Sequence, residues 1–340
     1  MGQGLANIAR LGHPRVLVVG DIILDRYTWG NADRVSPEAP VLVLEVDRRE
    51  VRLGGAGSVT AMLRGLEADV GLAGVIGDDA GGLDVQRLLR ASEIECSLVD
   101  VISGRPTTTK ERLIGRASHR HPHQILRVDT EVRTPLDEAW QVSMLERLER
   151  ELPDFDVLLI SDYAKGACPP EFLRRLIELA RRYSVPVVVD PARHPDYGRY
   201  DGATVLTPNR NEASLGVGWT IETRADGIRA GGQLCERHDL DGVVVKLDGD
   251  GMVVVRRDGS SEAYPARRRA VYDVTGAGDM VLAMLGLALA SGLSLEDAVE
   301  LSNIAAGLEV ERLGVTPVFR SELEEELRRD EALEKSCETI

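Results

Sequence analysis

The sequence predicts an α/β protein in which a mostly parallel central sheet is covered by helices on both faces and a small antiparallel β layer stands apart as a lid. Three observations carry that expectation. Short continuous apolar runs of strand length recur along the chain, helical patterns separate them, and two early segments alternate apolar and polar residues instead.

In chain order, residues 1–14 read as a loosely ordered lead-in. Arg15–Gly20 (RVLVVG) is the first apolar run, ending in glycine, as a buried parallel strand does. The same pattern returns at Asp156–Ser161, Val185–Asp190, Ala203–Thr207 and Gly242–Lys246. Helical patterns fill the intervals: Ser58–Leu66, Pro170–Tyr183, Ala225–His238, an apolar helix from Met280, and Ser294–Leu308 with Ser294 as N-cap. Val41–Leu53 and Thr107–Asp129 alternate, which suits strands with one solvated face. The expected organisation is one domain over 1–320, with a lid from about 25–53 and 105–130, followed by a charged helical tail over 321–340.

Composition narrows the function. The 340 residues are 43% hydrophobic and 29% charged, an ordinary globular balance, and with only 4% aromatics the core must be built from Val, Leu, Ile and Ala. A net charge of −15 argues against nucleic acid or an anionic membrane as partner, so a phosphorylated ligand needs locally gathered Lys, Arg and backbone N–H groups. Cys96, Cys168, Cys235 and Cys337 are scattered, which fits a reducing cytoplasm better than a disulfide framework. No signal peptide is expected, and Met280–Ala290 is too short to span a bilayer.

Five segments at strand ends present ligand-competent residues. In Asp273-Val-Thr-Gly-Ala-Gly-Asp279 the glycines let backbone approach a ligand, and the helix that follows offers free N–H groups and a positive dipole end. Gly276, Ala277 and Gly278 form an anion hole there, and Asp279 can act as the base on an attacking hydroxyl. On spacing alone the segment is equally a structural turn with Asp279 as a dipole partner. Gly54-Gly55 can bring backbone against a polyhydroxyl ligand or simply make a tight turn. Asp21 and Asp25 follow the first strand and can accept from sugar hydroxyls or serve as caps. Asn209 and Glu212 can stand near Mg²⁺ through water or form a capping box. Asp162 and Lys165, in Ser-Asp-Tyr-Ala-Lys-Gly166, can reach a substrate or sit in a polar loop. Convergence of the five is stronger than any one of them. His119, His121 and His123 alternate and read as a lid-hairpin tip rather than a metal site. Arg267–Arg269 read as a solvated face.

Together these motifs resemble the ribokinase-like (PfkB) sugar kinases over about residues 15–318. The glycine pair at 54–55 and the run 273–279 match that family's two signatures in order. Within it, the runs Arg34-Val-Ser-Pro-Glu-Ala-Pro-Val41 and Ile160-Ser-Asp-Tyr-Ala-Lys-Gly166 are most similar to the D-glycero-β-D-manno-heptose-7-phosphate kinase subgroup of ADP-heptose synthesis, a lipopolysaccharide precursor pathway. The subgroup is often fused to a nucleotidyltransferase, and a chain of 340 residues is expected to be a stand-alone kinase.

The resemblance implies ATP and Mg²⁺ as cofactors, K⁺ as a further one, and a homodimer formed through the lid. It places Asp279 as base and Gly276–Gly278 as anion hole. Asp21, Asp25, Gly54, Gly55, Ser58, Lys165 and Arg127 are placed on the substrate side. Asn209, Glu212, Lys246, Gly249, Gly251, Thr275 and Asn303 are placed on the nucleotide side, with Glu212 reaching Mg²⁺ through water and Asp273 at a monovalent-cation loop. Four positions depart from the pattern: Ser58 for Asn, Ala192 for the Lys after Asp190-Pro191, Lys246 for Thr, and Met280 for a small or hydroxyl residue. The readings these leave are a heptose-phosphate kinase, a kinase for another sugar, sugar phosphate or nucleoside, and a weakened sugar- or nucleotide-binding relative. A dehydrogenase is disfavoured, because the first strand leads into Gly-Asp-Ile-Ile-Leu-Asp and not a Gly-x-Gly-x-x-Gly turn.

Overall fold

The computed structural model describes residues 2–116, 122–267, 269, 272–312 and 314–337, with backbone only over 334–337. His119, His121, Arg268 and Val271 lie outside the described residues.

A nine-stranded sheet forms the centre. Its parallel part comprises β1 (Arg15–Gly20), β4 (Asp69–Gly77), β5 (Glu95–Ile102), β8 (Val157–Ser161), β9 (Val187–Asp190), β10 (Val205–Leu206) and β11 (Gly242–Lys246). β12 (Met252–Arg256) and β13 (Ser261–Tyr264) extend it antiparallel, giving the order β13-β12-β11-β10-β9-β8-β1-β4-β5. β1 stands between β4 and β8, paired parallel to both.

Helices cover both faces, as an all-parallel core requires. One face carries α1 (Gln3–Arg10), α2 (Ala56–Gly65), α3 (Ala80–Ala91), α8 (Ala277–Ala290) and α9 (Leu295–Glu309). The other carries α4 (Glu138–Glu151), α5 (Pro170–Arg182), α6 (Arg210–Val217) and α7 (Arg224–His238). α8 is apolar all round because residues 279–288 are buried on every side, against the sheet, α2 and α9. Ser294 caps α9, its side chain accepting from Asp297 N–H as the sequence suggests. The N-terminal residues are not a loose lead-in. Ile8 and Leu11 are buried, and the Asn7 amide donates to Asp297 at 2.8 Å. α10 (Arg320–Cys337) buries Leu323 and Leu327 in the same core.

A second sheet, order β3-β2-β6-β7, is built from β2 (Ile22–Val35), β3 (Leu42–Gly55), β6 (Thr109–Arg116) and β7 (His123–Thr130). Two of its pairings are antiparallel, as the alternation suggests, but the central β2–β6 pairing is parallel. β2 begins one residue past Asp21, so Asp25 belongs to a 14-residue strand rather than to a loop. Its exposed apolar residues include Val35, Val41, Leu42, Val46, Leu126 and Val128.

Candidate active site

Parallel strands end on one side of their sheet, so the connections after β1, β8, β9, β10 and β11 converge there. They deliver Asp21, Asp162, Asp190, Asn209 and Lys246 respectively, and α8 presents its N-terminus to the same region. A cavity of about 730 Å³ opens there, lined by Asn209, Glu212, Lys246, Gly249, Gly251, Ala277, Gly278 and Asn303. These eight and Asp162, all picked from sequence, thus line one cavity, joined by Tyr163, Asp190 and Arg193.

Asp279 sits in the first turn of α8 and is buried. Gly276, the N-cap, has φ 102° and no side-chain cap bond, so the first amides of the helix remain open to an anion. Burial pushes the Asp279 carboxyl up to about 6, with Asp190 adding to the rise, while hydrogen bonds from Ser58 and Tyr163 and the Lys246 charge pull it down. The Tyr163 hydroxyl donates to Asp279 Oδ1 at 2.8 Å, and the Ser58 hydroxyl lies against Oδ2 and against the Gly55 carbonyl oxygen. Ser58 therefore positions the carboxylate and is not directed at a sugar, a correction to its substrate-side placement. Met280 turns into the core and does not face the cavity.

Several residues expected to contact substrate have other partners. Asp21 accepts from the backbone N–H groups of Tyr163, Lys165 and Ala167 at 2.9, 3.0 and 3.0 Å. It folds the 162–167 loop over the strand end, and its carboxyl is pushed up to about 6 by burial and by neighbouring Asp162. Asp162 itself is committed to Tyr200 Oη at 2.7 Å and to Arg199. Asp25 pairs with Arg112 inside the lid. Gly54 and Gly55 are required by that packing. A Cβ on Gly54 would stand 2.4 Å from the Asp25 carboxylate, and Gly55 has φ 57° with the Asp21 carbonyl oxygen 2.4 Å from where its Cβ would be.

Lys165 pairs with Glu131, and Arg127 is exposed and pairs with Asp129 at 2.8 Å. Asn209 and Glu212 do form a capping box, the Glu212 N–H donating to Asn209 Oδ1 and the Asn209 N–H to Glu212 Oε2, while both line the cavity. The capping reading holds, and it leaves both side chains at the cavity. Asn303 donates to Pro265 O at 2.9 Å. Thr275 N–H donates to Asp273 Oδ1, and Gly314 N–H to Asp273 Oδ2, so Asp273 ties the glycine turn to the 310–316 segment. Arg267 and Arg269 are not a solvated face. They pair with Asp330 and with Glu311 and Glu326, and both line the cavity.

Three features were missed by sequence reasoning. Lys110 lies 4.9 Å from the centre of the Tyr163 ring, and burial together with Lys165, Arg112 and Arg127 lowers its pKa against the pull of Asp25. Its alternation with Arg112 along β6 was the available signal. The second is the Lys246–Asp190 pair, 2.5 Å apart. The third is Glu309, fully buried in the last turn of α9, its pKa pushed up to about 8 by burial and by Asp273 and Asp279 against the pull of Arg312 and the Thr316 backbone N–H. No sequence signal marked it.

The pfkB family carbohydrate kinase model matches residues 13–321, and the chain belongs to that family. It is 42% identical over 307 residues to the Bifunctional protein HldE of Geobacter metallireducens, which covers 90% of this chain and 61% of that protein. Over 326 residues it is 41% identical to the Bifunctional protein HldE of Paramagnetospirillum magneticum, covering 96% and 65%. The chain thus spans less than two thirds of the length of these relatives. Among solved structures, it resembles the ribokinase of Arabidopsis thaliana complexed with ribose and ATP (TM-score 0.70, 20% identity, 92% of this chain and 97% of that one). It also resembles phosphofructokinase-2 of Escherichia coli in complex with potassium (TM-score 0.74, 18% identity, 92% and 97%). These likenesses establish the ribokinase-like fold, and the family makes the protein a carbohydrate kinase, a phosphotransferase acting on a sugar hydroxyl. Among the described residues no helix is long and apolar enough to cross a membrane.

Proposed function

We propose that this chain transfers the γ-phosphoryl group of ATP to the anomeric hydroxyl of a heptose 7-phosphate, D-glycero-β-D-manno-heptose 7-phosphate. The observation that carries the reading is the buried Asp279, held by Ser58 and Tyr163 at the open N-terminus of α8 beside a cavity large enough for a nucleotide. Asp279 removes the hydroxyl proton, and the amides of the α8 first turn take the charge that develops on the transferring group. On the lid side Lys110, over the Tyr163 ring, is the basic group left to meet the acceptor's own phosphate, since Lys165 and Arg112 are held by Glu131 and Asp25. Similarity to HldE proteins and the Ser-Asp-Tyr-Ala-Lys-Gly run support the heptose acceptor.

The donor set fits the implied metals. Asp190, Asn209 and Glu212 present oxygen ligands, and the Glu212 carboxyl is pushed up to about 7 by burial and by Asp190, as expected of a site short of positive charge. These three residues would hold Mg²⁺ brought with ATP, and the metal would neutralise phosphate charge. Beside Asp273, the buried Glu309 carboxyl, raised to about 8 by burial and by Asp273 and Asp279, is where a monovalent cation would be held. The exposed apolar residues of the lid support a homodimer in which two lids cover each other, and the free thiols of Cys96, Cys168 and Cys235 suit a cytoplasmic setting.

The test is a phosphorylation assay with ATP and Mg²⁺ against a panel of the heptose 7-phosphate, fructose 6-phosphate, ribose and a nucleoside. Turnover is expected with the heptose phosphate by a wide margin. Turnover with ribose or the nucleoside alone overturns the acceptor assignment, and no turnover with any acceptor overturns the kinase reading.

A further inference from the structure

We propose that Lys246 is a catalytic residue of this kinase, the cation that meets the transferring phosphoryl group. The proposal rests on the kinase reading above and adds a group to it.

Position comes first. Lys246 ends β11, and its backbone is held against the β10 connection by the Lys246 N–H donating to Pro208 O at 2.9 Å and by a parallel bridge to Asn209. Its side chain crosses the floor of the cavity, and its ammonium reaches Asp190 Oδ1 at 2.5 Å. A Cβ placed on Gly278 would stand 3.3 Å from the same ammonium. The charge therefore lies against the first turn of α8, where the free amides of the anion hole are.

Charge comes second. Asp190 holds this ammonium at 2.5 Å, Glu212 lines the same cavity and Asp279 sits in the first turn of α8. Three carboxylates at the mouth of an anion hole repel a polyphosphate, and Lys246 opposes them from beside Gly278. The cavity's other basic residues are placed differently. Arg267 and Arg269 are held by carboxylates of α10, and Arg193 is exposed. An ammonium has three donors, so Lys246 can keep Asp190 and still bond phosphoryl oxygens.

The exchange visible in the sequence fits. The lysine that the family pattern places after Asp190-Pro191 is the buried Ala192 here, and the position that the pattern gives to threonine is Lys246. Lys246 brings a positive charge to Asp190 at 2.5 Å.

The test compares Lys246→Met with the wild type in two measurements. Without metal, affinities for a non-hydrolysable ATP analogue and for ADP are read by calorimetry. The variant is expected to bind the analogue about tenfold more weakly and ADP within about twofold. With Mg²⁺ and the best acceptor, kcat is expected to fall about 100-fold, the cost of removing one oxyanion donor, and Lys246→Arg to recover part of it. Since Lys246→Met leaves the half-buried Asp190 carboxylate with Thr207 but without its cation, Asp190→Asn/Lys246→Met is measured in the metal-free assay as well. It is expected to show the same split between analogue and ADP. Equal loss for both nucleotides, or an unchanged kcat in Lys246→Met, overturns the proposal. If Lys246→Met shows this split against the wild type but the wild type turns over no acceptor, the kinase reading is overturned instead.

Discussion

Glu309 offers the sharpest physical test of the site's electrostatics. Its carboxyl is fully buried, and Gly276 leaves it room, since a Cβ there would stand 2.5 Å from Oε1. The folded-state pKa is about 8 against an ordinary value of 4.5. A carboxyl raised on folding binds its proton more tightly in the native state, so its contribution is most favourable below 4.5 and is lost as pH climbs to 8. Each pH step in that window costs about 1.4 kcal/mol. Between pH 5 and pH 7 the wild type therefore loses about 2.5 kcal/mol of stability through this group alone. Glu309→Gln keeps the shape and removes the titration. Urea unfolding of both proteins at pH 5, 6 and 7, in potassium-free buffer, isolates the effect, because Asp21, Asp279 and Glu212 titrate in both. The variant is expected to gain about 2.5 kcal/mol relative to wild type from pH 5 to pH 7. A difference that stays constant over that range refutes the burial argument.

Three further outcomes follow from the site. With its carboxyl at about 6, Asp279 acts as base only when ionised, so kcat/KM is expected to rise with pH through a midpoint near 6, and Asp279→Asn to lower kcat by about 10³; a flat profile from pH 5 to 7 removes Asp279 from the role. Lys110→Met is expected to raise KM for the sugar phosphate about tenfold while leaving KM for ATP within twofold, and steady-state kinetics with both substrates varied checks it. Gly55→Ala puts a Cβ at positive φ and 2.4 Å from the Asp21 carbonyl oxygen, and a loss of about 1–3 kcal/mol in thermal unfolding is expected.

Much of the site was legible because glycine and helix-start chemistry are local. Asp279 and Gly276–Gly278 announce an open helix N-terminus from seven consecutive residues, and Asn209 with Glu212 announces a capping box from four. The substrate-side residues were harder. Asp21 and Asp25 have the right type and place for sugar hydroxyls, but three amides of the 162–167 loop and Arg112 respectively engage them, and no local pattern names partners so distant.

The chain by itself determined its elements. Apolar runs of four to six residues can only be buried strands, and helices between them force parallel pairing with both faces covered, so class and strand-end convergence follow from periodicity. Which side chains meet at those ends was decided by strand order and register alone. Ser58 reaches Asp279 across 221 residues, Lys246 reaches Asp190 across 56, and Glu309 comes to rest beneath Gly276 because α9 packs on α8. Hydrophobic pattern is a property of neighbours in sequence, while charge, protonation and partner are properties of neighbours in space. The buried carboxylates and the lysine among them took their character only from the folded sheet.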